Sequence, residues 1–95
     1  MRAELNLEEW LGELDYMVTH MGGHVEVVSI WDNYVGATLR VDVESYYNVE
    51  GEVRDWIKDA ERAGFKVKWS YWYDELEMEL HGDEFLKYID IDIEY

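Results

Sequence analysis

The chain has 95 residues, 48% of them hydrophobic and 16% aromatic, with no cysteine and no proline. That size and apolar content suit one compact domain near the lower limit of what folds unaided, and the missing cysteines exclude disulfides and thiolate metal sites. Eight Lys plus Arg against 23 Asp plus Glu leave a formal charge of −15, beyond the magnitude of about 2–8 that solubility asks of a small domain; it opposes contact with nucleic acid and anionic lipid.

The opening residues, MRAELNLEEW, lack the basic flank and apolar run of a signal peptide, and no window approaches the ~18 uninterrupted apolar residues of a membrane span. A soluble protein of a reducing cytoplasm is expected, the host cell's if the chain is viral. Residues 1–5 are a candidate edge strand. Asn6 then caps a helix whose Leu7, Trp10, Leu11, Leu14, Met17, Val18 and Met21 recur at i, i+3, i+4 and i+7, with Glu9 at capping-box spacing. Gly22 and Gly23 end it. A hairpin follows, HVEVVSIW against YVGATLRVDVE across Asp32-Asn33; in its second strand Val35, Ala37, Leu39, Val41 and Val43 alternate with Gly36, Thr38, Arg40, Asp42 and Glu44.

Asn48 caps a second predicted helix with Val49, Val53, Trp56, Ile57 and Ala60 on its apolar stripe, and Gly64 supplies its left-handed end with Phe65 packing back. The next pattern reads as a second hairpin, FKVKWSYWY against LEMELH across Asp74-Glu75. A shift of 42 residues places Asn6 on Asn48, Gly22 on Gly64, Val25 on Val67 and Asp32 on Asp74, so 6–44 and 48–81 read as a pseudo-repeat. An acidic segment, 82–95, turns at Gly82-Asp83-Glu84 and ends in a last strand, KYIDIDIEY. The predicted fold is α+β: two helix–β-hairpin units forming a mainly antiparallel sheet with two helices on one face, ferredoxin-like or related, plus an extra C-terminal strand.

Residues 74–95 hold Asp74, Glu75, Glu77, Glu79, Asp83, Glu84, Asp90, Asp92 and Glu94 against Lys87 alone. On a strand, residues two apart share a face ~6.7 Å apart. Glu75, Glu77 and Glu79 would then form one carboxylate row and Asp90, Asp92 and Glu94 another, at a spacing near that of the phosphates along a nucleic-acid strand. Alternation of this kind also arises from folding alone, but a surface chosen for stability would mix signs. Trp31, Tyr34, Tyr46, Tyr47, Trp72 and Tyr88 fall at turns or opposite the expected core, where such rings anchor protein interfaces. Lys66 and Lys68 read as part of a basic patch beside the second helix, with Arg54, Lys58 and Arg62.

No catalytic residue, metal ligand or cofactor is expected. His20 and His24 flank Met-Gly-Gly, which breaks the helix that a two-histidine site needs, and Asp90-Ile-Asp92-Ile-Glu94 lacks the mid-loop glycine of a calcium loop. Nucleotide-binding, Ser-His-Asp and Gly-rich phosphate signatures are absent from the sequence. The expected function is binding. A small acidic inhibitor would imitate nucleic acid and block the basic DNA- or RNA-binding surface of a partner protein, with Asp74, Glu75, Glu77, Glu79, Asp83, Glu84, Asp90, Asp92 and Glu94 as its acidic contacts and Trp31, Tyr34, Trp72 and Tyr88 as its aromatic ones. In size, acidity and lack of cysteine the chain resembles the inhibitors that phages and archaeal viruses direct against restriction or CRISPR systems, a likeness of general character carried by no residue motif. The alternative is a structural or regulatory interaction domain of an acidic or high-salt cytoplasm, monomeric or homodimeric.

Overall fold

The computed structural model describes residues 6–43, 47–81 and 86–95. Its elements are α1 (Leu7–His20), β1 (His24–Ile30), a 3-10 turn (Asp32–Tyr34), β2 (Gly36–Asp42), α2 (Tyr47–Ala63), β3 (Lys66–Tyr73), α3 (Glu75–His81) and β4 (Leu86–Glu94). The expected strand over residues 1–5 and the turn at Gly82-Asp83-Glu84 lie outside the described residues. No helix is long and apolar enough to cross a membrane among the described residues.

Local chemistry sets the helix ends. The Asn6 side chain accepts a hydrogen bond from the Glu9 N–H at 3.3 Å, satisfying one of the donors that a helix start leaves unpaired. Helix α2 begins at Tyr47, so Asn48, expected as its cap, sits in the first turn instead. Both helices stop alike: Gly22 and Gly64 take φ of +88° and +116°, and the next residues, Gly23 and Phe65, donate back to the carbonyls of Val18 and Ala60 at 3.0 and 3.1 Å. This is the Schellman closure, which only glycine enters without a Cβ penalty.

The four strands form one antiparallel sheet in the order β1-β2-β4-β3. The C-terminal strand is therefore internal. It lies between β2 and β3, the two strands that α2 connects, an order consistent with a ferredoxin-like arrangement whose central place is filled from the C-terminal end. The expected hairpin of 65–73 against 76–81 does not form. Residues 75–81 are helix, and β3 pairs with β4, with α3 carried in the connection between them. Leu76, Met78 and Leu80 alternate as in a strand, but Glu, Leu and Met are strong helix formers, and β4 pairs with the side of β3 next to β2.

One face of the sheet carries the core. Ala37, Leu39 and Val41 of β2, Ile89, Ile91 and Ile93 of β4 and Val67 of β3 are buried against Leu7, Leu14 and Val18 of α1 and Val49, Val53, Trp56, Ile57 and Ala60 of α2. The period of two on the strands and 3.6 on the helices brings these residues to one layer. Val35, expected in β2, precedes the strand and is exposed. Trp10 meets Trp56 and Phe65 edge-on at 6.1 and 5.7 Å, and the Trp56 indole donates to the Trp10 carbonyl at 3.1 Å. Tyr95 closes this end: its ring lies 5.2 Å from Phe65, and its hydroxyl accepts from the Leu7 N–H at 3.1 Å, so the last residue satisfies a donor at the start of α1.

Ile91→Ala removes the centre of the innermost strand and should cost about 2–5 kcal/mol, while Tyr95→Phe, which deletes only the hydroxyl acceptor, should cost about 0.5–1.5 kcal/mol. Chemical denaturation of each variant against the parent chain measures both.

Candidate functional site

Helices cover one face of the sheet, and the residues of opposite parity line the other. The cross-strand register orders this open face in rungs. Running from β1 through β2 and β4 to β3, the rungs are His24, Asp42, Tyr88, Trp72; then Glu26, Arg40, Asp90, Ser70; then Ser29, Thr38, Asp92, Lys68; and last Gly36, Glu94, Lys66, with no β1 member. The row Asp90, Asp92, Glu94 expected on the final strand is present, but each carboxylate has cationic or hydroxyl neighbours from the strands beside it. Like charges two apart on one strand repel, and placing cations or hydroxyls opposite them offsets that repulsion.

Asp90 has the strongest partner. The Arg40 Nε and Nη2 donate to its two carboxylate oxygens at 2.8 and 3.0 Å, a bidentate pair. The guanidinium stands 4.8 Å from the Tyr88 ring and 6.0 Å from that of Trp72, within cation–π range of both. The hydrogen bond from Arg40 holds the Asp90 carboxyl below its ordinary range, against an opposing push from partial burial, with Arg40's charge and the Trp72 indole adding smaller downward contributions. Asp92 accepts from the Thr38 hydroxyl at 2.9 Å, and that hydroxyl also accepts from the Trp31 indole N–H at 3.3 Å. Trp31 lies over Gly36, where a Cβ would come within 2.4 Å of its ring, so the absence of a side chain at 36 seats the indole on the sheet.

Lys66 and Lys68 stand level with Glu94 and Asp92. They belong to the open face, opposite α2, and not to the basic patch beside that helix which the sequence suggested. There, Arg54 pairs with Glu50, the Tyr71 hydroxyl donates to Glu50 at 2.7 Å, and Arg62 reaches Asp59 at 3.2 Å. Shallow depressions of about 210 and 320 Å³ cross the open face; Lys68, Ser70, Asp90 and Asp92 border the first, and Trp31, Lys66, Lys68, Asp92 and Glu94 the second. Their walls carry both signs of charge.

The other expected contacts separate. Glu75, Glu77 and Glu79 fall on α3, not on a strand, so they form no row at strand spacing. Asp74 lies 3.6 Å from Lys87. Asp83, Glu84 and Tyr46 lie outside the described residues, as do the side chains of Tyr34, Tyr47 and Glu77. Trp72 is 54% exposed, whereas Tyr88 lies beneath Arg40. His20 ends α1, its ring 4.0 Å from Tyr16 and 2.9 Å from the Tyr16 carbonyl, while His24 opens β1 on the open face. Among the described residues no group of three or more His, Asp and Glu is placed to hold a metal ion.

Two sets of residues were missed by sequence reading. Arg40 looked like one polar position of an alternating strand, and only the β2–β4 register shows it clamping Asp90. The exposed Glu8, Glu9, Glu13 and Asp15 of α1, a helix without Lys or Arg, were passed over for the denser C-terminal acid. Their signal was legible as carboxylates unrelieved by any cation at i+3 or i+4. No protein-family model matches the chain, and no match is found among curated proteins or solved structures.

Because the folded state holds the Asp90 pKa low, this pair's contribution to stability is full when the pH stands above the ordinary carboxylate value of 3.8 and is lost as the pH falls below it, through the depressed value. Asp90→Asn should therefore be less stable than the parent at neutral pH, and the difference should shrink as acid protonates the parent's carboxylate. Denaturant midpoints taken between neutral pH and pH ~3 give this comparison directly.

Proposed function

We propose that this chain is an acidic binding protein that occupies the basic nucleic-acid-binding surface of a partner protein, and that its helices, more than its terminal strand, present the charge. The observation that carries the reading is where the unbalanced acid sits. On the open sheet face Arg40, Lys66 and Lys68 stand among Asp90, Asp92 and Glu94, whereas Glu8, Glu9, Glu13 and Asp15 of α1 and Glu75 and Glu79 of α3 are exposed and make no ion pair among the described residues.

Glu9 and Glu13 are one helical step of four apart, a rise of ~6 Å, close to the separation of successive phosphates that the sequence reading sought on strands. A formal charge of −15 steers the chain toward cationic surfaces at a rate that falls as salt screens it. Arg and Lys in the partner's groove would pair with these carboxylates and be denied to nucleic acid. A cysteine-free chain suits a reducing cytoplasm, and restriction or CRISPR proteins have basic grooves of the required kind.

The test is affinity capture from lysate followed by competition with DNA and RNA. Captured partners should release the chain when nucleic acid is added, and affinity should fall with rising salt. Changing Glu8, Glu9 and Glu13 to Gln and Asp15 to Asn should weaken capture by at least about tenfold, or ~1.4 kcal/mol. Asp92→Asn with Glu94→Gln should weaken it less. A partner that holds nucleic acid and this chain together, or an α1 variant that binds as tightly as the parent, would refute the proposal.

A further inference from the structure

We infer that the outer edge of β3, unpaired among the described strands, pairs with the β3 of a second copy, antiparallel about a two-fold axis at Ser70, to join two four-stranded sheets into one of eight. The two outer strands of the sheet differ in how they are guarded. Strand β1 carries its own bulge, with Val28 as the extra residue between the rungs of Val27 and Ser29. A bulge of this kind twists an edge away from further pairing. The irregularity on the β3 side falls instead within β4, where Lys87 is skipped between Tyr88 and Leu86. Strand β3 therefore runs regular over its eight residues, and among the described strands its backbone pairs with β4 alone. An unbulged edge presents a row of backbone donors and acceptors ready to receive a strand.

The side chains agree with a second copy as the occupant. Trp69 and Trp72 are 45% and 54% exposed, and Tyr73 41%, which places three large rings along one edge of a small domain, a concentration typical of interfaces. Within a chain of charge −15, residues 66–73 hold Lys66 and Lys68 and no carboxylate, so two copies approach here without setting acid against acid. Pairing about Ser70 places Trp69 opposite the partner's Tyr71 on the helical side and Lys68 opposite the partner's Trp72 on the open side, a cation over a ring. Lys66 comes level with the partner's Asp74. The two Lys68 residues then stand four rungs apart, ~13 Å at strand rise, beyond the screening length of ~8 Å at physiological salt. An isologous contact of this kind closes on itself as a dimer and does not propagate.

The lack of native cysteine makes the register directly testable. In Ser70→Cys the two introduced thiols face each other across the axis, at the ~4.5–5.5 Å Cα separation of opposed antiparallel residues, which lies inside the disulfide range. The parent chain should sediment at twice its 11.4 kDa mass, in high salt as in low. Oxidation should cross-link Ser70→Cys rapidly and Ser29→Cys, on the bulged β1 edge, slowly or not at all. Lys68→Gln, which keeps a polar side chain beside Asp92 but removes the cation over the partner's Trp72, should keep the fold by circular dichroism and shift the chain toward monomer. A parent chain that stays monomeric up to ~1 mM, or a Ser70→Cys variant that cross-links no faster than Ser29→Cys, overturns the inference, whether the edge is left open or is covered by residues 1–5 of the same chain.

Discussion

Strand β4 has to satisfy two demands at once, and the rest of the structure follows from how it does so. A strand sends alternate side chains to opposite faces, so burying Ile89, Ile91 and Ile93 beneath the helices obliges Asp90, Asp92 and Glu94 to share the other face at close spacing. Three carboxylates in a row are tolerable only if something offsets their repulsion. The sheet does so sideways: Arg40 and Thr38 come from β2, Lys66 and Lys68 from β3. An edge position would have offered neighbours on one side only, and the internal place of β4 supplies both.

This neutralisation alters how the net charge is to be understood. The ladder that looks most anionic in sequence is the one the tertiary structure relieves, and the Arg40–Asp90 pair, roughly a third exposed on each side, owes its order to bidentate geometry and the Tyr88 ring beneath it more than to raw Coulomb energy, which water screens. Most of the exposed acid without an ion pair among the described residues sits on the helices, and α1 holds four such carboxylates with no Lys or Arg of its own. Helices tolerate this because their backbone hydrogen bonds are internal and their apolar stripes face the core, so the outward face is free to be any polar residue. The open sheet face thus mixes Arg40, Lys66 and Lys68 with its carboxylates, whereas α1 carries exposed acid and no Lys or Arg.

Much of the fold was legible in sequence because its signals are short-range. Asn6 before an apolar stripe, glycine where a helix must turn left-handed, and the Ile-Asp-Ile-Asp alternation each need only a few neighbouring residues to act, and each is realised. The failure at residues 75–81 has the same origin. Leu76, Met78 and Leu80 alternate with Glu at a period of two, which read as a strand, yet a strand needs a partner and the vacant place beside β3 goes to β4. A segment rich in Glu, Leu and Met, all strong helix formers, satisfies its backbone internally as a helix. The candidate site was read only in part: its acids and aromatics were visible, while the cations that answer them lie 50 residues away on β2, as Arg40, or about 24 to 28 away on β3, as Lys68 and Lys66, and no local pattern marks which rung they occupy.

The sequence by itself determined the class of fold, the two long helices and their stops, the apolar side of the internal strands and the excess of acid, because periodicity, caps and composition act within a turn or a strand. Only the tertiary structure decided that the last strand is central, that its carboxylates are matched with cations, and that β1 ends in a blunted edge while β3 does not. Those outcomes depend on register between distant segments, and register is set by which apolar faces meet across the core.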